Sequence, residues 1–383
     1  MIDEKRATNV IGILIPFTLS AYTILSISMV LKELALAFNS PISVVSLVFP
    51  MDFIGGAIGG VVVGRLADRF GRKMLTVISV IIFSASAIIA SFSRSLIDIY
   101  IAWFFVGFGV NAENGVAYPL IVESLSSQTG LFGGLVQGLY YVAFGIDSLT
   151  YAFIHSWKSI FLFVGVLSLA LGLPSSLAIK ETLKPKEGKS DIRGIFKGGY
   201  AKKTLLLSII ITASFMLVVP LLSIAPAALG SANKSWLLTI MSIVGFASFL
   251  FSGYASDILG RKKTTIILSL IGLVGGLLLA LLHYAEIDII ASMLLLYISS
   301  GLFAYEGVWV SENYSEDVRA SASNIVFLFG RLIGGFSPSI AILIGTRSII
   351  NGIGLLSFLS SLIIIFSSLC LKEADKLPAY LGI

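Results

Sequence analysis

Residues Gly64 to Lys73 read GRLADRFGRK, and residues Gly253 to Lys262 read GYASDILGRK. Each string ends one long apolar run and precedes the next. Arg65, Asp68, Arg69, Arg72 and Lys73 form a dense charge cluster in a chain that is only 12% charged, so the first string belongs at a membrane surface. Its glycines permit a turn where a side chain would clash, and Asp68, at the end of the preceding helix, can bind an arginine or the positive N-terminus of a neighbouring helix. Asp68 to Asp257, Gly64 to Gly253, Gly71 to Gly260, Arg72 to Arg261 and Glu123 to Glu312 all share one offset of 189 residues. A register held over that length, at about half the chain, implies two homologous halves running in the same direction.

The 383 residues are 57% hydrophobic with a mean hydropathy of +0.99, far above a soluble domain. Such a chain is an integral membrane protein, and the net charge of +5 is read as topology signal, not as a nucleic-acid patch. A single cysteine, Cys370, excludes an internal disulfide, and His155 and His283 are too far apart in sequence to argue a metal site. No cofactor is implied. The N-terminal run is read as a first spanning helix and not a cleaved signal.

At about twenty residues per crossing, twelve helices are expected near 10–36, 42–65, 74–93, 97–122, 130–153, 159–179, 204–229, 235–255, 264–283, 289–312, 320–343 and 348–371. The fold class is therefore all-α integral membrane, with an N-terminal six-helix bundle over 1–180, a basic linker over 181–203 and a C-terminal bundle over 204–383. With an even number of crossings both termini share a side. That side holds twenty Lys or Arg residues against four opposite, which places the termini in the cytoplasm of a cell membrane.

The doubled string resembles the signature loop of the major facilitator superfamily of membrane transporters. Glu312, Tyr314, Val318, Arg319, Ala320 and Ser321, followed by Gly330, Arg331, Gly334, Gly335 and Pro338, resemble segments around helix eleven of its metabolite, aromatic-acid and sialate proton symporters. GFGVNAE at Gly107 to Glu113 resembles a glycine-rich run of helix four, although Trp103 stands where an arginine is usual. The resemblance implies two pseudo-symmetric bundles working by alternating access, with helices one, four, seven and ten lining a central cavity. It implies a latch at Gly64, Asp68, Arg69, Gly71, Arg72, Glu123 and Arg319 and its repeat at Gly253, Asp257, Gly260, Arg261 and Glu312.

An ionised side chain at mid-membrane costs at least about 2.5 kcal/mol, so those present must face protein or water. They are Asp52, Glu113, Asp147, Glu306 and Arg331. Counting residues from the membrane faces puts Asp52 and Arg331 both near the midplane, and an ion pair between them is expected; the alternative is that Arg331 caps carbonyls or binds an acid of its own half. Asn111, Asn114 and Tyr118 form a polar stripe on helix four and, with Tyr22, Tyr305, Glu306 and Trp309, are substrate-site candidates; interhelical hydrogen bonding is the competing reading for each. Glu306 is favoured for proton coupling over Asp52 and Asp147. Glycines of helices two, four and five are read as packing contacts.

The expected function is secondary active transport, proton-coupled uptake of a small organic anion or related metabolite by a monomer in the lipid bilayer. A sugar/proton symporter, a drug or metabolite exporter and a sensor that has lost transport are the alternatives. An intramembrane enzyme would need a nucleophile and base or a metal cluster, and no His, Cys or Ser grouping supplies one.

Overall fold

The computed structural model describes residues 4–70, 72–123, 129–179, 200–229, 235–281, 285–314, 316–345 and 348–371, with the side chains of all of these except 4–11, 61, 64–65, 67–70, 72, 113–123 and 316–321. Twelve long helical segments follow one another: α1 (Glu4–Met29), α2 (Val48–Phe70), α3 (Arg72–Ala90), α4 (Leu96–Glu123), α5 (Thr129–Phe153), α6 (Trp157–Ala178), α7 (Tyr200–Ser223), α8 (Ser235–Leu259), α9 (Arg261–Leu281), α10 (Glu286–Ser299 and Phe303–Glu312, joined by a 3-10 turn), α11 (Glu316–Gly334, then Ser337–Ile344) and α12 (Ile349–Cys370). No strand occurs among the described residues. Among the described residues eleven segments are long and apolar enough to cross a membrane, and the 28-residue α4 supplies the twelfth with its apolar part Leu96–Ala112. In hydrocarbon every peptide group must be bonded within the chain, which leaves helices as the solution for segments of this composition.

The helices run past the apolar spans predicted for them. α2 continues to Phe70 and α8 to Leu259, through charged residues where the expected segments stop, because leaving the hydrocarbon gives a helix no reason to unwind until a glycine or proline does. Gly260, with φ of 93°, is such a stop: the chain turns there through the left-handed region before α9 begins. The segment expected over 10–36 instead breaks near Val30, and Leu31–Ala37 forms a separate short helix. α7 ends at Ser223, three residues past Pro220, and a short helix Ala225–Leu229 carries Pro226. α11 breaks at Gly335 and Phe336, just before Pro338, whereas Pro16 sits within an uninterrupted α1.

Within the first half α1 packs on α5 and α6, α2 on α4, and α3 on α4 and α6; in the second, α7 packs on α11 and α12, and α12 on α9. Glycines set these distances. A β-carbon on Gly55 or Gly59 would collide with the carbonyls of Phe104 and Phe108, so α2 and α4 touch backbone to backbone. The two halves meet along two seams. α5 lies on α8 from end to end: Gly130 is against Gly253, Gly134 against Phe249, Gly138 against Phe246, Gly145 against Ser242, and Ser148 Oγ donates to the Ser235 carbonyl at 2.7 Å. On the other seam Ser46 and Ser339 share a hydrogen bond of 2.9 Å and Phe53 rests on Gly335. Large apolar side chains such as Phe153, Phe251 and Leu343 stand outward at 73% exposure or more, as chains in contact with lipid do.

Candidate functional site

The repeat of the signature loop is a closed network. Asp257, at the end of α8, accepts the amide hydrogens of Gly130 and Leu131, the first turn of α5, at 3.0 Å each, one on each carboxylate oxygen. Arg261 Nη1 pairs with Asp257 Oδ1 at 2.7 Å, and its other nitrogens reach Glu312 at 2.9 and 3.2 Å and Thr129 Oγ1 at 3.1 Å. A carboxylate on the positive end of a helix, held there by a guanidinium, is a directional tie between the bundles. The close approach depends on glycine, since a β-carbon on Gly253 would strike the Gly130 backbone. Lys262 Nζ donates to the Leu371 carbonyl at 2.7 Å and closes the end of α12. Gly253, Asp257, Gly260, Arg261 and Glu312 are thus brought together. Shifted by 189 residues, Asp257 corresponds to Asp68, and Gly130 and Leu131 correspond to Arg319 and Ala320. Gly64, Asp68, Arg69, Arg72, Glu123 and Arg319 lie on described backbone, but their side chains fall outside the described residues, as does Gly71 altogether.

The expected Asp52 to Arg331 ion pair does not form. Asp52 is buried, its Oδ1 without a partner and packed on Gly107 of α4. A β-carbon on Gly60 would lie 3.6 Å from Arg331 Nη1 and 3.9 Å from the Asn111 carbonyl. The guanidinium is therefore level with Gly60, two helical turns or about 12 Å along α2 from Asp52. Counting in from the ends of apolar runs misplaced the pair, because neither helix ends where its apolar run does. Arg331 is partly buried, carries no hydrogen bond or ion pair among the described residues, and lies within electrostatic range of Tyr140 on α5. Elements of both halves surround it: α2, α4 and α5 from the first, and its own α11 from the second.

The remaining candidates divide by half. Asp147 of α5 is buried with neither carboxylate oxygen bonded, and Tyr22 of α1 lies within electrostatic range of it while sharing a 2.8 Å hydrogen bond with Thr150. Glu306 of α10 is fully buried; one oxygen accepts the Ser214 hydroxyl of α7 and the other has no partner. Tyr305 turns toward α9, its hydroxyl 2.9 Å from Thr265 Oγ1, and Trp309 is buried. Asn111 donates to the Gly107 carbonyl of its own helix at 3.2 Å and lies over Gly56. Glu113, Asn114 and Tyr118 lie on α4, with side chains outside the described residues. Trp103, in the place of an arginine, donates from Nε1 to the Ile24 carbonyl at 3.4 Å and stacks on Phe161, a packing role that relays no proton.

Two arrangements escaped the sequence reading. Tyr141 of α5 crosses between the halves and donates to Ser300 at 2.6 Å, at the 3-10 turn that divides α10. Ser299-Ser300-Gly301 was the available signal for that break. On the side opposite the signature loops Glu33 accepts the Trp157 amide at 3.0 Å and a bond from Tyr151, and burial raises its pKa above the ordinary carboxylate value. Lys158 lies over the Trp157 ring at 5.3 Å.

Two six-helix bundles with a polar interior and a tie at the helix ends define a polytopic membrane transporter. The sequence profile described as the Major Facilitator Superfamily matches residues 12–206 and again 204–379, once for each half. The chain belongs to that superfamily and is a transporter, not an enzyme. It is 23% identical over 377 residues to a "Probable 4-methylmuconolactone transporter" of Cupriavidus pinatubonensis, covering 93% of this chain and 88% of the relative. It is 24% identical to a "Putative niacin/nicotinamide transporter NiaP" of Bacillus subtilis, with 90% and 89% covered. The inward-open xylose transporter XylE of E. coli superimposes with a TM-score of 0.76 at 17% identity, covering 97% of both chains, a likeness of fold.

Proposed function

We propose that this transporter of small metabolites carries a small organic anion inward together with protons, by alternating access. The observation that carries the reading is Arg331: a guanidinium that cannot deprotonate, within a spanning helix, at a seam between the halves, with no acid bound to it among the described residues. A charge held there is tolerated when a ligand neutralises it, and a carboxylate fits the two-pronged guanidinium. Asp52, Asp147 and Glu306, each with an oxygen lacking a partner, are the candidate proton carriers. The relatives named for a lactone and for niacin support a small metabolite as cargo.

In this reading the halves 1–180 and 204–383 rock about the buried site, joined by the basic stretch 181–203. The positive excess on the signature-loop side supports a cell-membrane orientation with both termini in the cytoplasm. The sugar reading ranks second: XylE shares the fold, but α7 carries no glutamine.

A thermal-shift screen tests the reading, because a ligand that binds only the folded protein raises its melting temperature. Aromatic and aliphatic monocarboxylates, nicotinate among them, are compared with their amides and with sugars. A carboxylate is expected to stabilise the wild type, to act more weakly on Arg331→Lys, and to leave Arg331→Ala unshifted. An uncharged stabilising ligand, or full stabilisation of Arg331→Ala, would overturn it.

A further inference from the structure

One face of α5 carries a run of polar groups from the buried interior to the surface opposite the signature loops. Asp147, Thr150, Tyr151 and His155 recur at helical spacing of three and four, so they line one side of the helix and the turn that follows it. Asp147 is 2% exposed and both its oxygens lack partners, an arrangement that an always-ionised carboxylate could not hold inside a spanning helix. Beside it Tyr22 and Thr150 share their 2.8 Å bond, and Thr150 also donates to the Ile146 carbonyl. One turn further out Tyr151 bonds Glu33, and the rings of Tyr151 and His155 meet edge to face at 6.3 Å. Glu33 and His155 lie within electrostatic range of each other; Glu33 is half-buried and His155 exposed.

We infer that Asp147 is a proton-binding site loaded from the surface opposite the signature loops through His155, Glu33, Tyr151 and the Tyr22 and Thr150 hydroxyls. The inference rests on the proton-coupled reading and names the carboxyl and the route. Glu306 serves less well, because one of its oxygens already holds Ser214. The groups that face the route are few. Tyr22 is the titratable side chain within electrostatic range of Asp147 among the described residues. The facing stretch of α8, Ser235–Gly245, has none. Tyr297 of α10 is turned to the Leu221 carbonyl. Around Glu33 stand Tyr151, His155 and the Trp157 amide, with Lys32 exposed and Lys158 over Trp157.

Hydronium at the surface gives its proton to His155 or Glu33 and leaves as water. Tyr151, Tyr22 and Thr150 each accept one proton and release one along their hydrogen bonds, and water carries it across the unbonded steps, the last of them to Asp147. Asp147 ends neutral, and the buried site is then free of its charge when the seam closes. On the other side the carboxyl releases the proton to water and regains its charge.

Infrared difference spectra of the full-length protein, recorded across a pH titration, read the protonated carboxyl directly and need no substrate. Asp147→Asn is expected to remove one component of that band, Asp147→Glu to restore it at a shifted frequency, and Glu306→Gln to leave it in place. After a rapid pH drop, Tyr151→Phe and Glu33→Gln should slow growth of that component several-fold while keeping its final amplitude, which a merely structural defect would not do. A band untouched by Asp147→Asn, or abolished by Glu306→Gln, overturns the assignment of Asp147. Unchanged rates in both outer variants overturn the route. A route that holds while no carboxylate stabilises the protein overturns the organic-anion reading alone.

Discussion

Replacing Asp257 by Ala should unfasten the two bundles at the signature-loop end of the α5–α8 seam. The carboxylate accepts two helix-end amides and pairs with Arg261, whose side chain is 11% exposed against 17% for Asp257, so solvent screens the contacts only weakly. Charge-assisted bonds of this kind contribute about 1.5–3 kcal/mol each. Breaking a buried pair costs about 3–5 kcal/mol, and since Arg261 keeps Glu312, the lower end applies. About 3 kcal/mol is roughly two orders of magnitude in the ratio of latched to unlatched molecules. Asp257→Asn keeps an acceptor and loses the charge, so about half that energy, roughly a tenfold shift, is expected. Spin labels at Phe132 on α5 and Ile258 on α8, in a background with Cys370 replaced by Ser, report the separation as a distance distribution. The Ala variant should populate a longer distance and the Asn variant an intermediate mixture. Identical distributions in wild type and Asp257→Ala would show that the network decorates the seam without holding it.

Four further substitutions test the fold and the surface cluster by thermal unfolding. Gly260→Ala forces an alanine to φ of 93° and should cost about 1–2 kcal/mol; an unchanged melting temperature would mean the turn relaxes freely. Tyr141→Phe removes one buried bond to Ser300 and should cost about 1 kcal/mol, while Gly245→Ala drives a methyl against the Tyr141 ring and should cost about 1–3 kcal/mol; the reverse order would contradict the packing described. Burial raises the Glu33 pKa above its ordinary 4.5, so the folded protein binds this proton more tightly than the unfolded chain does. The stability it contributes is complete below about pH 4.5 and is lost as pH rises through the folded value; Glu33→Gln should lack that loss, and parallel pH profiles for the two proteins would refute the assignment.

The repeat of 189 residues made the two halves legible, because charge at a membrane surface and glycine at a turn are constraints that a sequence records residue by residue. The same logic anticipated a carboxylate on a helix N-terminus for Asp68, whose side chain lies outside the described residues; Asp257 of the second half makes such a contact with Gly130 and Leu131 of the first. Levels along a helix were less legible. Apolar runs mark the hydrocarbon and not the helix, so Asp52 and Arg331 were placed at one height when Gly60 is the residue level with the guanidinium. Contacts between halves left no periodic trace: nothing in the spacing of α5 announces that Tyr141 reaches Ser300. The polar face from Asp147 to His155 has helical spacing that can be read from sequence, but its meaning depends on Glu33, which comes from a short helix beyond the break near Val30, where one continuous helix was expected.

The most direct test of proton-coupled organic-anion uptake uses the purified protein in proteoliposomes, with the carboxylate that gives the largest thermal shift as labelled substrate. An inward proton gradient should drive accumulation above the external concentration, an ionophore that collapses the gradient should abolish it, and Arg331→Ala should accumulate none. Uptake that only equilibrates regardless of the gradient, or that persists in Arg331→Ala, would contradict it.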